Sequence, residues 1–386
     1  MRLTRRSFLL GSAALTLAGC RVPSGERVPR AYSAAVFGDM HYDADPMEKF
    51  HAAFLSTWGK DECEGWRLDE FRRNGRMWGD IGRRILAAAG SCATPDTGFV
   101  LQLGDLVQGD CRDLAAHGRM LNEAAAAISD AFGGRLPVLT VCGNHDLRLG
   151  ASRDGNDQDA APAYGAFVAD WHRRQFAKLG EDAPEGTTFG LRHGPDLFVF
   201  IDFNRPSADR VKEILEENDD VRYTFLVTHG PLSPMDLMPR RWFLYGDEKD
   251  DPVRNEMRAL FARRNAIVLA GHVHSLEHKE FAFPEGRISE MVLSTMVRSF
   301  EKPLAAEPEV VATDSSQYGR VMAREVSWVP GLKELFDEWR PHLTRYFASR
   351  ATGHYRLRVS DAGVWVDYYG LDSRLPTKTF ELRRNI

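Results

Sequence analysis

From residue 32 onward, short apolar runs alternate with stretches of helical periodicity. Ala34-Ala35-Val36-Phe37, Phe99-Val100-Leu101-Gln102-Leu103 and Leu136-Pro137-Val138-Leu139-Thr140-Val141 are three such runs. Tyr223-Thr224-Phe225-Leu226-Val227 and Ala266-Ile267-Val268-Leu269-Ala270 are two more. Runs this short and this rich in Val, Leu, Ile and Phe predict strands buried on both faces. Between them, Leu114 to Ala131, Tyr164 to Leu179 and Asn255 to Arg264 predict helices, the second with Phe167, Trp171, Phe176 and Leu179 along one stripe. This alternation predicts an α/β domain with a largely parallel central sheet. Near the C-terminus, Tyr355, Leu357 and Val359 alternate, Asp361-Ala362-Gly363 turns, and Val364, Val366 and Tyr368 alternate again, a hairpin with one buried face. Just before it, Leu332, Leu335, Phe336, Trp339, Leu343, Tyr346 and Phe347 follow helical spacing with a break at Pro341. Ser152–Pro162 and Glu301–Ser316 are polar and predict loops.

Each of the five predicted strands runs straight into polar residues. The sequences are Gly38-Asp39-Met40-His41, Gly104-Asp105, Gly143-Asn144-His145-Asp146, Thr228-His229-Gly230 and Gly271-His272-Val273-His274. Ligands of open α/β sheets sit at the carboxyl ends of strands, so all five clusters are expected on one rim.

Composition narrows the class. With 386 residues, 43% hydrophobic and 27% charged, the chain can bury a substantial core and is neither disordered, collagen-like nor a multi-span membrane protein. A net charge of −5 gives no electrostatic case for nucleic acid. The five cysteines are too few for a disulfide scaffold. Thr4-Arg5-Arg6-Ser7-Phe8-Leu9 is a twin-arginine start, and the apolar run from Phe8 to Gly19 is too short to span a bilayer. It ends in Leu17-Ala18-Gly19-Cys20, which resembles a bacterial lipobox with acylation at Cys20. The expectation is a Tat-exported lipoprotein at the periplasmic or cell-surface face, held to the membrane through Cys20. Residues 1–19 are then signal, 20–32 a tether and 33–386 the folded domain, three charges more acidic once Arg2, Arg5 and Arg6 are gone. Cys63, Cys92, Cys111 and Cys142 remain and allow up to two disulfides; for Cys142 a buried thiol is the alternative.

Histidine nitrogens with carboxylate and amide oxygens make a borderline-hard ligand set suited to Zn, Mn or Fe. In order and in context, the five clusters resemble the calcineurin-like metallophosphoesterase family over roughly residues 33–280. The resemblance implies a sandwich of two mixed β-sheets flanked by helices, with the C-terminal hairpin compatible with its second sheet. It also implies two divalent or mixed-valence ions, Mn, Fe or Zn. Asp39, His41 and His274 are assigned to one ion and Asn144, His229 and His272 to the other, with Asp105 bridging. His145 is then the residue that protonates the leaving oxygen or stabilises transition-state charge. Two such ions, offset by two aspartates and a bridging hydroxide, leave about one positive charge for a phosphoryl group, and water on them titrates near ~7. The implied activity is hydrolysis of a small phosphoester, monoester or diester.

The departures matter too. The Asp-Arg pair that follows Gly-Asp in protein Ser/Thr phosphatases is replaced by Leu106-Val107-Gln108-Gly109-Asp110, so the partner of His145 is not given by the motif. Purple acid phosphatases carry a Tyr where Gln108 stands and lack His41. A nuclease of the same fold is disfavoured by the acidic balance, and an inactive surface recognition module by the intact ligand set. Candidate substrate contacts are Arg148, whose alternative is a solvated surface position, and Arg240, Arg241 and Trp242 in the segment after His229. Rim insertions are expected near 42–98, 231–252 and 300–352, the first as a lid or rim holding Trp58, Cys63 and Trp66.

Overall fold

The computed structural model describes residues 30–44, 66–149, 158–234, 251–296, 309–318 and 332–385. Two mixed sheets lie face to face with helices on both outer sides. The six-stranded sheet has the order β14-β13-β12-β1-β2-β3, formed by Tyr32–Phe37 (β1), Thr97–Gln102 (β2), Val138–Thr140 (β3), Gly353–Ser360 (β12), Gly363–Gly370 (β13) and Lys378–Arg384 (β14). The eight-stranded sheet has the order β10-β11-β8-β9-β7-β6-β5-β4. Its strands are Phe189–His193 (β4), Asp196–Ile201 (β5), Thr224–Thr228 (β6), Ile267–Ala270 (β7), Leu276–Phe283 (β8), Gly286–Val292 (β9), Glu309–Ala312 (β10) and Leu343–Arg350 (β11). The parallel strands expected from the sequence are thus divided between two sheets. β1, β2 and β3 are parallel in one, and β5, β6, β7 and β9 in the other.

The period of two explains the layering. Ala34 and Val36, Phe99 and Leu101, Phe198 and Phe200, and Phe225 and Val227 face the space between the sheets. Ala35, Phe37 and Val100 face outward against helices Arg83–Ser91 (α2), Leu114–Ala131 (α3) and Ala161–Leu179 (α4). Leu197, Val199, Ile201, Leu226 and Val268 face the opposite way against Ala208–Glu216 (α5), Asp251–Arg263 (α6) and Leu332–Trp339 (α7). Both faces of the central strands are therefore covered, which is why their sequences are continuously apolar.

Residues 66–91 of the 42–98 stretch are helical. Trp66–Met77 (α1) continues through a π-turn at Trp78–Gly82 into α2. Trp78 is fully buried, its ring 4.9 Å from that of Tyr42. Trp78, Ile85, Leu86 and Ala89 of this stretch pack in the core; residues 45–65 lie outside the described residues. The C-terminal hairpin joins β1 directly, Tyr32 pairing with Val359 and Val36 with Tyr355.

Leu343, Tyr346 and Phe347 are on strand β11, not on a helix. The chain leaves α7 at Trp339, passes through a short turn of 3₁₀ helix containing Pro341, and pairs with β8. Proline removes the N–H that would continue the helix, and the open edge of β8 offers a full ladder instead.

Candidate metal centre

Each cluster sits in a loop at a strand end, and the loops are tied to one another through the backbone. Asp39 N donates to Gly104 O (3.1 Å) and His41 N to Asp105 O (2.9 Å). Gly271 N donates to His229 O (2.9 Å). Asp39, His41, Asp105, His272 and His274 all have φ between 43° and 72°, the left-handed region that non-glycine residues seldom adopt. Strain concentrated at these five positions is the local cost of turning their side chains inward, and the paired loops sustain it. Two glycines make room. A Cβ on Gly104, whose φ is +86°, would strike the His229 ring, and one on Gly143 would strike Asp105.

The side chains converge in two groups whose ligand atoms lie within 4.8 Å of one another. One is Asp39, His41, Asp105 and His274; the other is Asp105, His229 and His272. Oδ2 of Asp105 lies 3.7 Å from His41 Nε2 and 3.3 Å from His229 Nε2, so one carboxylate serves both groups. His41 and His274 bring Nε2 atoms to 3.1 Å, and His272 Nδ1 comes to 3.1 Å from His229 Nε2. Asn144 Oδ1 joins the second group, 3.2 Å from His229 Nε2. His272 and His274 diverge to different groups, as a loop allows.

The donor set fits two divalent cations. His229 Nδ1 donates to the Leu103 carbonyl at 2.8 Å, which leaves Nε2 as the atom facing Asn144, His272 and Asp105. With the chain's own charges alone, burial opposes the imidazolium, but Asp105 and then Asp39 push His229 up to about 9. His229 Nε2 would be the atom that holds a cation, which would then take the place of that proton. Burial would raise the Asp105 carboxyl, yet His229, His145 and His41 hold it well below the usual carboxylate range. Burial and the neighbouring His229 hold His272 well below an ordinary imidazole.

The surrounding shell includes residues with no assigned role in the sequence reading. Asp146 accepts from Gly143 N (2.8 Å) and Val107 N (3.2 Å), bracing the third loop against the second. Burial first, and the charge of Asp105 second, push it up to about 7. Thr295 donates to the Asp39 carbonyl at 2.8 Å. Phe203 packs its ring against His229 and His272, at centroid distances of 5.1 and 5.4 Å. Its signal was present: Leu197-Phe198-Val199-Phe200-Ile201 is another apolar run ending in polar residues, Asp202 and Asn204. Buried Glu290 accepts from Leu232 N (2.5 Å), Ser233 N (3.1 Å) and Ser233 Oγ, fixing the loop that follows His229. Lys279, fully buried, lies 3.2 Å from Glu290 and 3.3 Å from Glu277.

His145 stands beside the ligand cluster, its ring 4.6 Å from that of His41. Its Nδ1 contacts the Gln108 carbonyl (2.7 Å) and its Nε2 contacts Arg148 (3.0 Å). Arg148 is not a solvated surface residue: it is buried in an ion pair with Asp110. An Asp-Arg pair next to the histidine is therefore present after all, assembled from two loops. Cys92, Cys111 and Cys142 are free thiols, and no two of them form a disulfide. Cys20, Cys63, Arg240, Arg241 and Trp242 lie outside the described residues.

The sequence profile of the calcineurin-like phosphoesterase family matches residues 32–276. No curated protein matches the chain in sequence. Among solved structures, PhoD is 10% identical, with a TM-score of 0.50 over 92% of this chain and 70% of that one. A dimetal phosphatase from Danio rerio is 12% identical, with a TM-score of 0.48 over 92% of this chain and all of that one. At this identity the likeness to PhoD is one of fold.

Proposed function

The chain belongs to the calcineurin-like phosphoesterase family, and from that premise we propose that it hydrolyses small phosphate esters at a two-metal centre. Asp39, His41 and His274 would hold one ion, Asn144, His229 and His272 the other, and Asp105 both. The observation that carries this reading is the Asp105 carboxylate, whose Oδ2 is common to both ligand groups. Bound there, two divalent ions supply Lewis-acid polarisation of a phosphoryl group and activation of water at neutral pH.

The chain's own residues do the rest. Asp39 and Asp105 offset only part of the charge of two divalent ions, so the site attracts an anion although the chain as a whole is acidic. His145 N fixes Oδ1 of Asp105 at 2.8 Å, which orients Oδ2. Asp39 accepts from His272 N at 2.9 and 3.0 Å through its two oxygens, locking the first loop to the fifth. Phe203 excludes water from one side of His229 and His272.

The test is elemental analysis of purified protein followed by a panel of aryl monoester, aryl diester, cyclic nucleotide and nucleotide substrates with Mn, Zn and Fe. Two ions per chain and turnover of at least one class are expected. Two bound ions with no turnover of any class would overturn the reading. Export is the second part of the proposal. The twin-arginine start and Leu17-Ala18-Gly19-Cys20 support a protein exported folded and anchored by acylation at Cys20. Labelled fatty acid should enter the wild type and not Cys20→Ser.

A further inference from the structure

Lys279 and Glu290 face each other across the β8–β9 ladder, and Glu277 stands two residues before Lys279 on the same side of the sheet. All three are buried, Lys279 and Glu290 completely. The ammonium lies 3.2 Å from Oε2 of Glu290 and 3.3 Å from Oε2 of Glu277. Each carboxylate holds a different loop. Glu290 accepts from Leu232 N (2.5 Å), Ser233 N (3.1 Å) and Ser233 Oγ, on the loop that follows His229. Glu277 Oε1 accepts from Ser275 Oγ at 2.9 Å, on the residue after His274. His229 belongs to one ligand group and His274 to the other. Lys279 is therefore a link between the loops that serve the two candidate ion sites. Tyr318, also fully buried, closes over the His229 loop: its OH donates to Pro234 O at 2.9 Å. Its ring lies 4.9 Å from that of Tyr346, the partner of Lys279 on β11.

Stability alone does not call for these charges. Burying ions costs desolvation, and well-packed apolar residues of similar volume are often as stable or more so. The same two strands use that solution farther from the centre, where Phe281, Phe283 and Ile288 cover this face. The charges stand where β8 leaves the His274 loop. Two divalent cations sharing Asp105 repel each other, so joint occupancy needs ligand loops that do not yield apart. An ion-paired bridge behind those loops resists such a displacement. Without Lys279, Glu277 and Glu290 repel, and the loops lose their common tie.

Given the two-metal reading on which this rests, we propose that Glu277, Lys279 and Glu290 are positioning residues that couple the two ion sites, so that the ions enter as a pair. They act through His229 and His274, not as ligands.

The metal-free full chain is titrated with Mn²⁺ below its melting temperature and followed by electron paramagnetic resonance, which separates isolated Mn²⁺ from a spin-coupled pair. Wild type should show the coupled pair from the first additions. Lys279→Met should show isolated Mn²⁺ first, with the pair forming only at about 5- to 150-fold higher Mn²⁺, the range of a typical coupling between sites. Because Lys279→Met leaves two buried carboxylates unopposed, Glu277→Gln/Lys279→Met/Glu290→Gln is measured as well. Its melting temperature should recover toward wild type while isolated Mn²⁺ still appears first. Paired uptake restored along with stability would make the bridge merely structural and overturn the proposal. Ser233→Ala and Ser275→Ala release one loop each. Their effects on Mn²⁺ affinity should depart from multiplying in wild type by about twofold or more, and should multiply in the triple variant. Multiplication in both backgrounds overturns the proposal too. Wild-type protein that shows isolated Mn²⁺ before the pair would overturn the coupling alone. Wild-type protein that binds no Mn²⁺ would overturn the two-metal reading, and this inference with it.

Discussion

Oδ1 of Asp105 accepts the backbone N–H of His145 at 2.8 Å, so the loop that carries His145 also aims the carboxylate shared by the two ligand groups. Oδ2 is thereby left to His41 and His229. Asp105→Asn keeps the shape but removes the one negative charge that the two candidate ion sites share. It should lower metal content below two per chain and reduce turnover by at least about 10²-fold, in line with loss of a major electrostatic contribution. Elemental analysis paired with turnover checks it; near-normal values for both would show that Asp105 does not bridge.

Gly104 has no room for a side chain. Its left-handed backbone and the His229 ring in the path of a Cβ make Gly104→Ala doubly unfavourable. A cost of about 2–4 kcal/mol is expected from overpacking and strain together. The displaced ring should also weaken the His229 ion site selectively. Urea unfolding and a metal titration would read the two effects; a variant as stable as wild type with both ions bound contradicts the geometry.

Lys279 neutralises two buried carboxylates under the loop that follows His229. Lys279→Met leaves Glu277 and Glu290 facing each other without their shared cation. It should destabilise the fold by about 3–5 kcal/mol, as expected for one partner removed from a buried pair. Lys279→Met/Glu290→Gln should recover part of that loss, which chemical denaturation can measure.

Acid should destabilise the fold through histidines outside the two ligand groups. Burial lowers His172 and His354 to about 4 and His278 to about 3, with Arg345 adding to the last. Their folded values lie below the ordinary ~6.5, so between about pH 4 and 6.5 the unfolded chain binds more protons. Stability from these groups is complete above about pH 6.5 and lost as pH falls toward 4, at about 1.4 kcal/mol per pH unit for each. Unfolding midpoints at pH 5 and 7.5 test the sign. His278→Phe should flatten the slope by one histidine's share.

The sequence by itself determined which side chains gather at the candidate metal centre. Asp39, His41, Asp105, Asn144, His229, His272 and His274 each sit just past an apolar run, and a strand end is a local property of the chain. Helix α3 was legible to the residue, because Asp113 accepts from Ala116 N at its start and the pattern runs unbroken to Ala131. What only the tertiary structure decided depends on neighbours distant in sequence. An apolar strand pattern does not say which sheet it joins, so the split of the parallel strands and the pairing of β1 with β12 were not readable. Tyr346 and Phe347 have helical spacing but pair with β8, because an open edge outweighs a weak local preference. Arg148 reads as a substrate contact or a solvated surface residue until the left-handed Gly109 and Asp110 bring a carboxylate against it. Charge in a sequence says nothing about burial; the partner that permits burial is chosen by the fold.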